Sequence, residues 1–329
     1  SYIIGGVSKN LGSNAHAGQG SAFVIEADEY DRMFLGLNPR IAVVTMMEHD
    51  HPDCYPTPQE YRAAFVDFVH TLQPGGLLIT NADDVQAASL AAELPAGCRV
   101  VTYGMNPDAG LRAIDVKRNS EGGFSFKLLN ATNAAFTEVA LTVPGEHNVR
   151  NALAALAVAQ ELKLDAAAAA EALGNFKGTG RRFDLRGEAD GITIIDDYAH
   201  HPTEIRATLA AARSRYVDRR IWAVWQPHTY SRTQMLLSEF TRAFHDADFV
   251  IVTAIYAARE QDNGFTAAQV VAGMQPANAR YIPALDDVRD TLLAELRPGD
   301  VLLVLSAGDA DQISAQVLSA LRSTEEHHG

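Results

Sequence analysis

Residues 194–205 read IIDDYAHHPTEI: two aspartates, a tyrosine and two histidines directly behind an apolar run and ahead of a helical pattern. Asp and His together can hold a divalent cation, exchange protons, or grip a ligand without reacting. The chain carries several more such clusters. EADEYD (26–31) and EHDHPD (48–53) put carboxylates and histidines behind short apolar runs. His49, His51, Asp50 and Asp53 are spaced as loop ligands of a cation, or as a capped turn with solvated carboxylates. GEHNVRNALAAL (145–156) places Asn148 and Asn151 three apart, hence on one helix face. Their amides can pair with a purine edge, or Asn148 can simply cap the helix. KGTGRRFD (177–184) brings two arginines into a glycine-rich segment, fit for phosphate or ribose contacts or for an ordinary salt bridge. QPHTYSRT (226–233) sets His228 and Arg232 four apart at a helix start, where a carboxylate could sit. The alternative there is capping by Ser231 beside a surface arginine.

These clusters need elements to position them. Apolar, β-branched runs at 22–27, 41–47, 77–80 and 98–104 read as buried strands, and 58–72 as a helix. Asn81 or Asp83 is a plausible cap for the helix that follows. From 111 to 143 the pattern becomes three antiparallel strands, with EGG (121–123) as a hairpin turn. Two alanine-rich helices follow. After KGTGRRFD, strands at GITIID, RRIWAVWQ, DFVIVTAIY and DVLLVLSAG alternate with helices at 202–215, 231–245, 284–296 and 310–321. Such alternation predicts an open parallel sheet covered on both faces. The chain is thus read as α/β with two domains, 1–181 and 182–329. Ligands of open α/β sheets bind beyond the carboxyl ends of strands, and five polar clusters occupy that place, which suggests a site built between the domains.

Composition narrows the function. A formal net charge of −14 disfavours nonspecific binding to nucleic acid or anionic membranes. Cys54 and Cys98 form no ligand or disulfide pattern, so a reducing cytoplasm is expected. No apolar run reaches membrane-spanning length. There is no GxxxxGK[ST] phosphate loop, no GxGxxG after a strand, and no nucleophile elbow. The abrupt start at SYIIGG suggests further material upstream, from truncation or proteolysis, with the main phosphate grip located there.

The succession EADEYD, EHDHPD, GEHNVRNALAA, GTGRRFD, DDYAHHPTE, QPHTYSRT, SAGD resembles the Mur ligases from about residue 5 to 320. It is most similar to members that join L-alanine to UDP-N-acetylmuramate. The resemblance implies a partial central P-loop-type ATPase domain, with a parallel sheet plus a small antiparallel one, and a Rossmann-like C-terminal domain. It implies ATP-dependent amide formation in peptidoglycan synthesis. The muramate carboxylate takes the γ-phosphoryl group, and the alanine amine displaces phosphate from the acyl phosphate. Glu26 and His51 would hold Mg²⁺, and Asn148 and Asn151 would face adenine. Arg182 and Asp197 would handle ribose and phosphates, so that ATP is clamped when the domains close, with Tyr198 and His200 beside them. His228 and Arg232 would hold the incoming alanine, and Asn14, in GSNAHAG, would lie near the substrate. Thr229 stands where some members carry arginine. The same resemblance admits a related ligase that adds a tripeptide. The residues themselves also admit a noncatalytic nucleotide-binding module or a metal-dependent phosphohydrolase. The chain alone is expected to be inactive, and its oligomeric state, monomer or weak dimer, is left open.

Overall fold

In both large sheets, successive residues of the central strands point to opposite layers of apolar side chains, as a two-faced α/β sheet requires. The computed structural model describes residues 1–130, 135–274 and 278–328. It divides into two compact units, Ser1–Lys177 and Gly178–Gly329.

The first unit opens with three two-residue strands, β1 (Tyr2–Ile3), β2 (Ala15–His16) and β3 (Val24–Ile25), forming a small sheet in the order β2-β1-β3. Its main sheet contains β4 (Ile41–Val44), β5 (Leu77–Asn81), β6 (Arg99–Gly104), β7 (Leu111–Arg118), β8 (Phe124–Leu129) and β9 (Ala135–Ala140), in sequence order. Pairing is parallel from β4 to β7 and antiparallel from β7 to β9. The helices are α1 (Pro58–His70), α2 (Val85–Ser89), α3 (Glu146–Glu161) and α4 (Ala166–Gly174). On β5, Leu77 and Ile79 pack with Val149, Leu153 and Leu156 of α3, whereas Leu78 packs with Tyr61, Phe65 and Phe68 of α1. Burying each such side chain contributes roughly 1.5–3 kcal/mol. The hairpin turn at 121–123 is forced by its glycines. Gly122 has φ +83°, and a Cβ on Gly123 would lie 2.1 Å from the Leu141 carbonyl oxygen. The link 131–134 of the second hairpin lies outside the described residues. The cap of α2 is neither Asn81 nor Asp83 but Asp84, whose carboxylate accepts from Ala87 N at 2.6 Å. Asp83 instead accepts from the backbone of Met105 and Asn106 and pairs with Arg150 at 3.0 Å.

The second unit has β10 (Asp184–Ala189), β11 (Ile192–Asp197), β12 (Ile221–Gln226), β13 (Phe249–Val252), β14 (Ala279–Tyr281) and β15 (Val301–Ser306). Their order is β10-β11-β15-β12-β13-β14, all parallel except the antiparallel edge strand β10. The helices are α5 (Pro202–Arg215), α6 (Tyr230–Met235), α7 (Leu237–Phe240), α8 (Ala268–Gly273), α9 (Leu285–Glu295) and α10 (Gln312–His328). Ile195, Trp225 and Leu303 face Ile205 and Leu209 of α5 together with Phe240. Ile194, Trp222 and Leu302 face Val288 of α9 and Ile313 of α10. Both tryptophans of the chain lie on β12. Trp222 stacks on Phe249 with ring centroids 4.2 Å apart and donates its Nε1 proton to Asp300 at 3.2 Å; Trp225 packs on Phe240. The helix expected over 231–245 is broken into α6 and α7, because Leu236 at ψ 21° leaves helical geometry. Among the described residues no helix is long and apolar enough to cross a membrane. Cys54 and Cys98 are free thiols.

Candidate functional site

The segment DDYAHHPTE runs from the end of β11 into α5. His201 is the N-cap of α5, Pro202 its first residue, and Glu204 completes a capping box. The Glu204 carboxylate accepts from His200 N at 3.0 Å and His201 N at 3.2 Å, and its other oxygen accepts from Arg182 at 3.3 Å. Burial works to raise its pKa, but His200, Arg182 and the two amides outweigh that and hold the carboxyl below its usual range. Arg181 and Arg182 both lie over the Tyr198 ring, 5.2 and 5.5 Å from its centroid. Tyr198, His200, His228 and Tyr256 form a row of rings with successive centroids 5.4, 5.9 and 5.7 Å apart. The second unit therefore gathers Arg182, Tyr198, His200 and His228 at the carboxyl ends of β11 and β12.

Asp197 is 4 % exposed, and the backbone uses both of its oxygens: Phe183 N donates at 2.6 Å and Ala199 N at 2.8 Å. Burial pushes its pKa up to about 6, against the pull of those two amides. Asp196 is also pushed up to about 6 by burial, opposed by Arg181 and reinforced by Asp311.

Arg232 is 4 % exposed rather than a surface residue. Its guanidinium lies 3.1 Å from His228 Nδ1, so α6 brings the pair together. Ser231 does not cap α6. The cap is the carboxylate of Glu260, which takes Tyr230 N at 2.6 Å, Ser231 N at 3.0 Å and the Ser231 hydroxyl.

In the first unit, Glu26 is exposed and accepts from Gly5 N at 2.7 Å. The carboxylates beside His51 are those of Glu29, at 3.2 Å, and Asp50, at 3.8 Å. His51 itself has φ 54°, a left-handed conformation uncommon outside glycine and found often at functional positions. Tyr55 anchors the loop: its hydroxyl donates to the Glu29 carbonyl, and its own carbonyl accepts from His49 Nε2 at 2.7 Å. Burial raises the Tyr55 pKa, so the hydroxyl remains a donor. Among the described residues no three His, Cys, Asp or Glu side chains converge as a metal-binding group. The donor set fits an ion such as Mg²⁺ only if one or two side chains hold it, with phosphate oxygens and water completing the shell.

Asn148 and Asn151 share the first turns of α3. Asn148 does not cap it, since Gly145 occupies that place; its amide donates to Pro144 O at 2.7 Å and accepts from Asn151 at 3.2 Å. Asn14 is exposed, and its carbonyl accepts from Ile4 N at 2.9 Å.

Known proteins extend the same pattern. The chain is 41% identical, over 98% of its length, to the UDP-N-acetylmuramate–L-alanine ligases of a Geobacter species and of Salinibacter ruber, covering 70% and 68% of them. The chain belongs to the Mur ligase family. Residues 7–159 match the Mur ligase middle domain and residues 181–308 the Mur ligase glutamate ligase domain. The UDP-N-acetylmuramate–alanine ligase of Thermotoga maritima superposes with a TM-score of 0.78 at 26% identity, over 98% of this chain and 69% of that one. A murein peptide ligase from Psychrobacter arcticus gives 0.65 at 25% identity, over 97% and 71%. Within this Mur ligase frame the sequence reading missed Glu29, Glu204, Tyr256 and Glu260. Only Glu204 carried a local signal, three residues after a helix cap.

Proposed function

We propose that this chain supplies the ATP-handling and amino-acid-handling parts of a ligase joining L-alanine to UDP-N-acetylmuramate in peptidoglycan synthesis. The observation that carries this is the 41% identity, across 98% of the chain, to ligases named for that reaction. In the proposed chemistry the muramate carboxylate attacks the γ-phosphorus of ATP and ADP leaves. The amine of L-alanine then attacks the acyl carbon, phosphate leaves and the amide remains. Such a reaction depends on positioning and charge neutralisation rather than on a protein nucleophile.

Arg182, over Tyr198 and against Glu204, is the proposed contact to ribose and phosphates. Asp197 retains free lone pairs on oxygens already fixed by two amides, so it can accept from a ribose hydroxyl without moving. Asn148 and Asn151, mutually hydrogen-bonded, are the proposed adenine contacts. His228 and Arg232 are proposed to hold the alanine carboxylate, with His200 beside them and Asn14 near the muramate substrate. Mg²⁺ would neutralise phosphate charge when bound, with Glu26 and His51 as the proposed protein ligands and Glu29 orienting the imidazole. A cytoplasmic setting accords with the two unpaired cysteines.

The likeness to a murein peptide ligase supports one second reading, addition of a peptide in place of the single amino acid. Phosphate release by the full-length protein with ATP, Mg²⁺ and UDP-N-acetylmuramate decides between them. Release that needs L-alanine is the expected result, release that needs a tripeptide favours the second reading, and ATP binding without release under either condition rejects both.

A further inference from the structure

Thr229 precedes α6 with φ 67° and ψ 145°, a backbone conformation that a β-branched residue rarely adopts. Its side chain does not cap the helix, although threonine in ordinary geometry would. Two ties from the segment after β13 fix the residues on either side. Tyr256 donates its N–H to Pro227 O at 2.8 Å and accepts from Thr229 N at 2.9 Å. Four residues on, the Glu260 carboxylate takes Tyr230 N, Ser231 N and the Ser231 hydroxyl. The Glu260 N–H donates to Ala257 O at 2.9 Å, closing the turn that delivers its side chain. Asn263 adds a further tie to Gln234 of α6 at 3.1 Å. The residues so clamped, 229–231, sit between His228 and Arg232.

We infer that Glu260 is a positioning residue for the amino-acid subsite, setting the place of His228 and Arg232 through the first turn of α6. This rests on the reading of that pair as the holder of the alanine carboxylate. Glu260 accepts the amides that a local cap would otherwise take, and so keeps Thr229 in its strained conformation. Without it the first turn of α6 can relax, and a pair required to meet a small carboxylate loses its alignment. The nucleotide contacts at Arg182 and Asp197 do not depend on this clamp, so the defect should be selective.

The test is steady-state kinetics on the full-length protein. Glu260→Ala should raise the KM for L-alanine by about tenfold or more, with the KM for ATP within about twofold. Glu260→Gln, which keeps an acceptor oxygen in place, should recover most of the loss. Glu260→Ala combined with Arg232→Ala should be no worse in alanine KM than Arg232→Ala alone, because both act on one subsite. If Glu260→Ala fails to fold, Glu260→Gln and Ser231→Ala carry the same test, with smaller but still alanine-selective increases. An alanine KM that does not move in the folded Glu260 variants, while Arg232→Ala raises it, overturns the inference alone. Equal rises for alanine and ATP show a merely structural role and also overturn it. No effect from Arg232→Ala removes the subsite reading, and the inference with it.

Discussion

His51 in the first unit and His200 in the second each follow a strand of a parallel sheet and each touch a glutamate, yet they are held differently. His200 sits between β11 and the capping box of α5, with Glu204 also fixed by His201 and Arg182. His51 sits in a loop at φ 54°, and its partner Glu29 comes from a segment that is mostly exposed. The second unit fixes its candidate groups with its own helix caps and buried strand ends. The first presents Glu29 and Asp50 from loops, where a phosphate-bound cation could still reorganise them. Rigid preorganisation suits a subsite for a small uncharged side chain and one carboxylate; adaptable carboxylates suit a hydrated ion.

Substitutions in either unit can break this contrast. The largest effect is expected for His51→Ala in the full-length protein: kcat should fall by at least about 100-fold, with Tm shifted by no more than about 2 °C. Normal turnover at saturating Mg²⁺ would remove His51 from the metal site. Next comes Asp300→Ala in the second unit. Asp300 is 2 % exposed and accepts from Arg220 Nε and Nη2, the Trp222 indole and Arg297 N. Its removal should cost about 3 kcal/mol in urea unfolding, with much smaller effects from carboxylates of the first unit such as Glu26. Glu204→Ala should cost about 1–2 kcal/mol and raise the KM for ATP through Arg182. An unchanged Tm would mean that the capping box does not stiffen the site.

The pH dependence sharpens the same point. Asp196 titrates near 6 in the folded chain against 3.8 in an unperturbed aspartate. Its protonated form is therefore favoured by folding, so its contribution is fully present below about pH 4 and lost as pH rises through 6. Glu204, held below 4.5, works in the opposite sense and loses its contribution as pH falls. Asp196→Asn should thus raise Tm at pH 8 and flatten the decline between pH 4 and 6; a Tm unchanged at both pH 5 and pH 8 counts against the shift. The smallest effect is expected for the exposed Arg99–Glu161 pair: Arg99→Ala should leave Tm within experimental error.

Most parallel strands of both units were legible because their apolar runs are continuous, as at VLLVLS (301–306), and the hairpin was legible from its paired glycines. The short parallel strand β14, ARY, was missed, and the run at 22–27, expected to be a buried strand, is only the exposed pair Val24–Ile25. The edge strand β10 was not legible either, since DLRGEA has charged residues and a glycine where the register shifts between Leu185 and Gly187. Of the site, the residue types that cluster at strand ends could be read directly, and α6 does bring His228 to Arg232. Their supports could not. Glu260 lies 29 residues beyond Ser231 and Glu29 lies 22 before His51, and contacts over such distances leave no periodicity to detect. The helix break at Leu236 was hidden for the same reason, because the pattern over 231–245 remains apolar and helical on its own terms.

Trp222 and Trp225, three residues apart on β12 and on opposite faces of the sheet, give the protein an internal optical label. Both are at most 1 % exposed, one indole donates to Asp300 and the other is sealed against Phe240 and Phe244. Excitation at the red edge of the absorption band therefore interrogates the second unit alone. The first unit carries no tryptophan, so loss of the tryptophan signal reports unfolding of the second unit and not of the first.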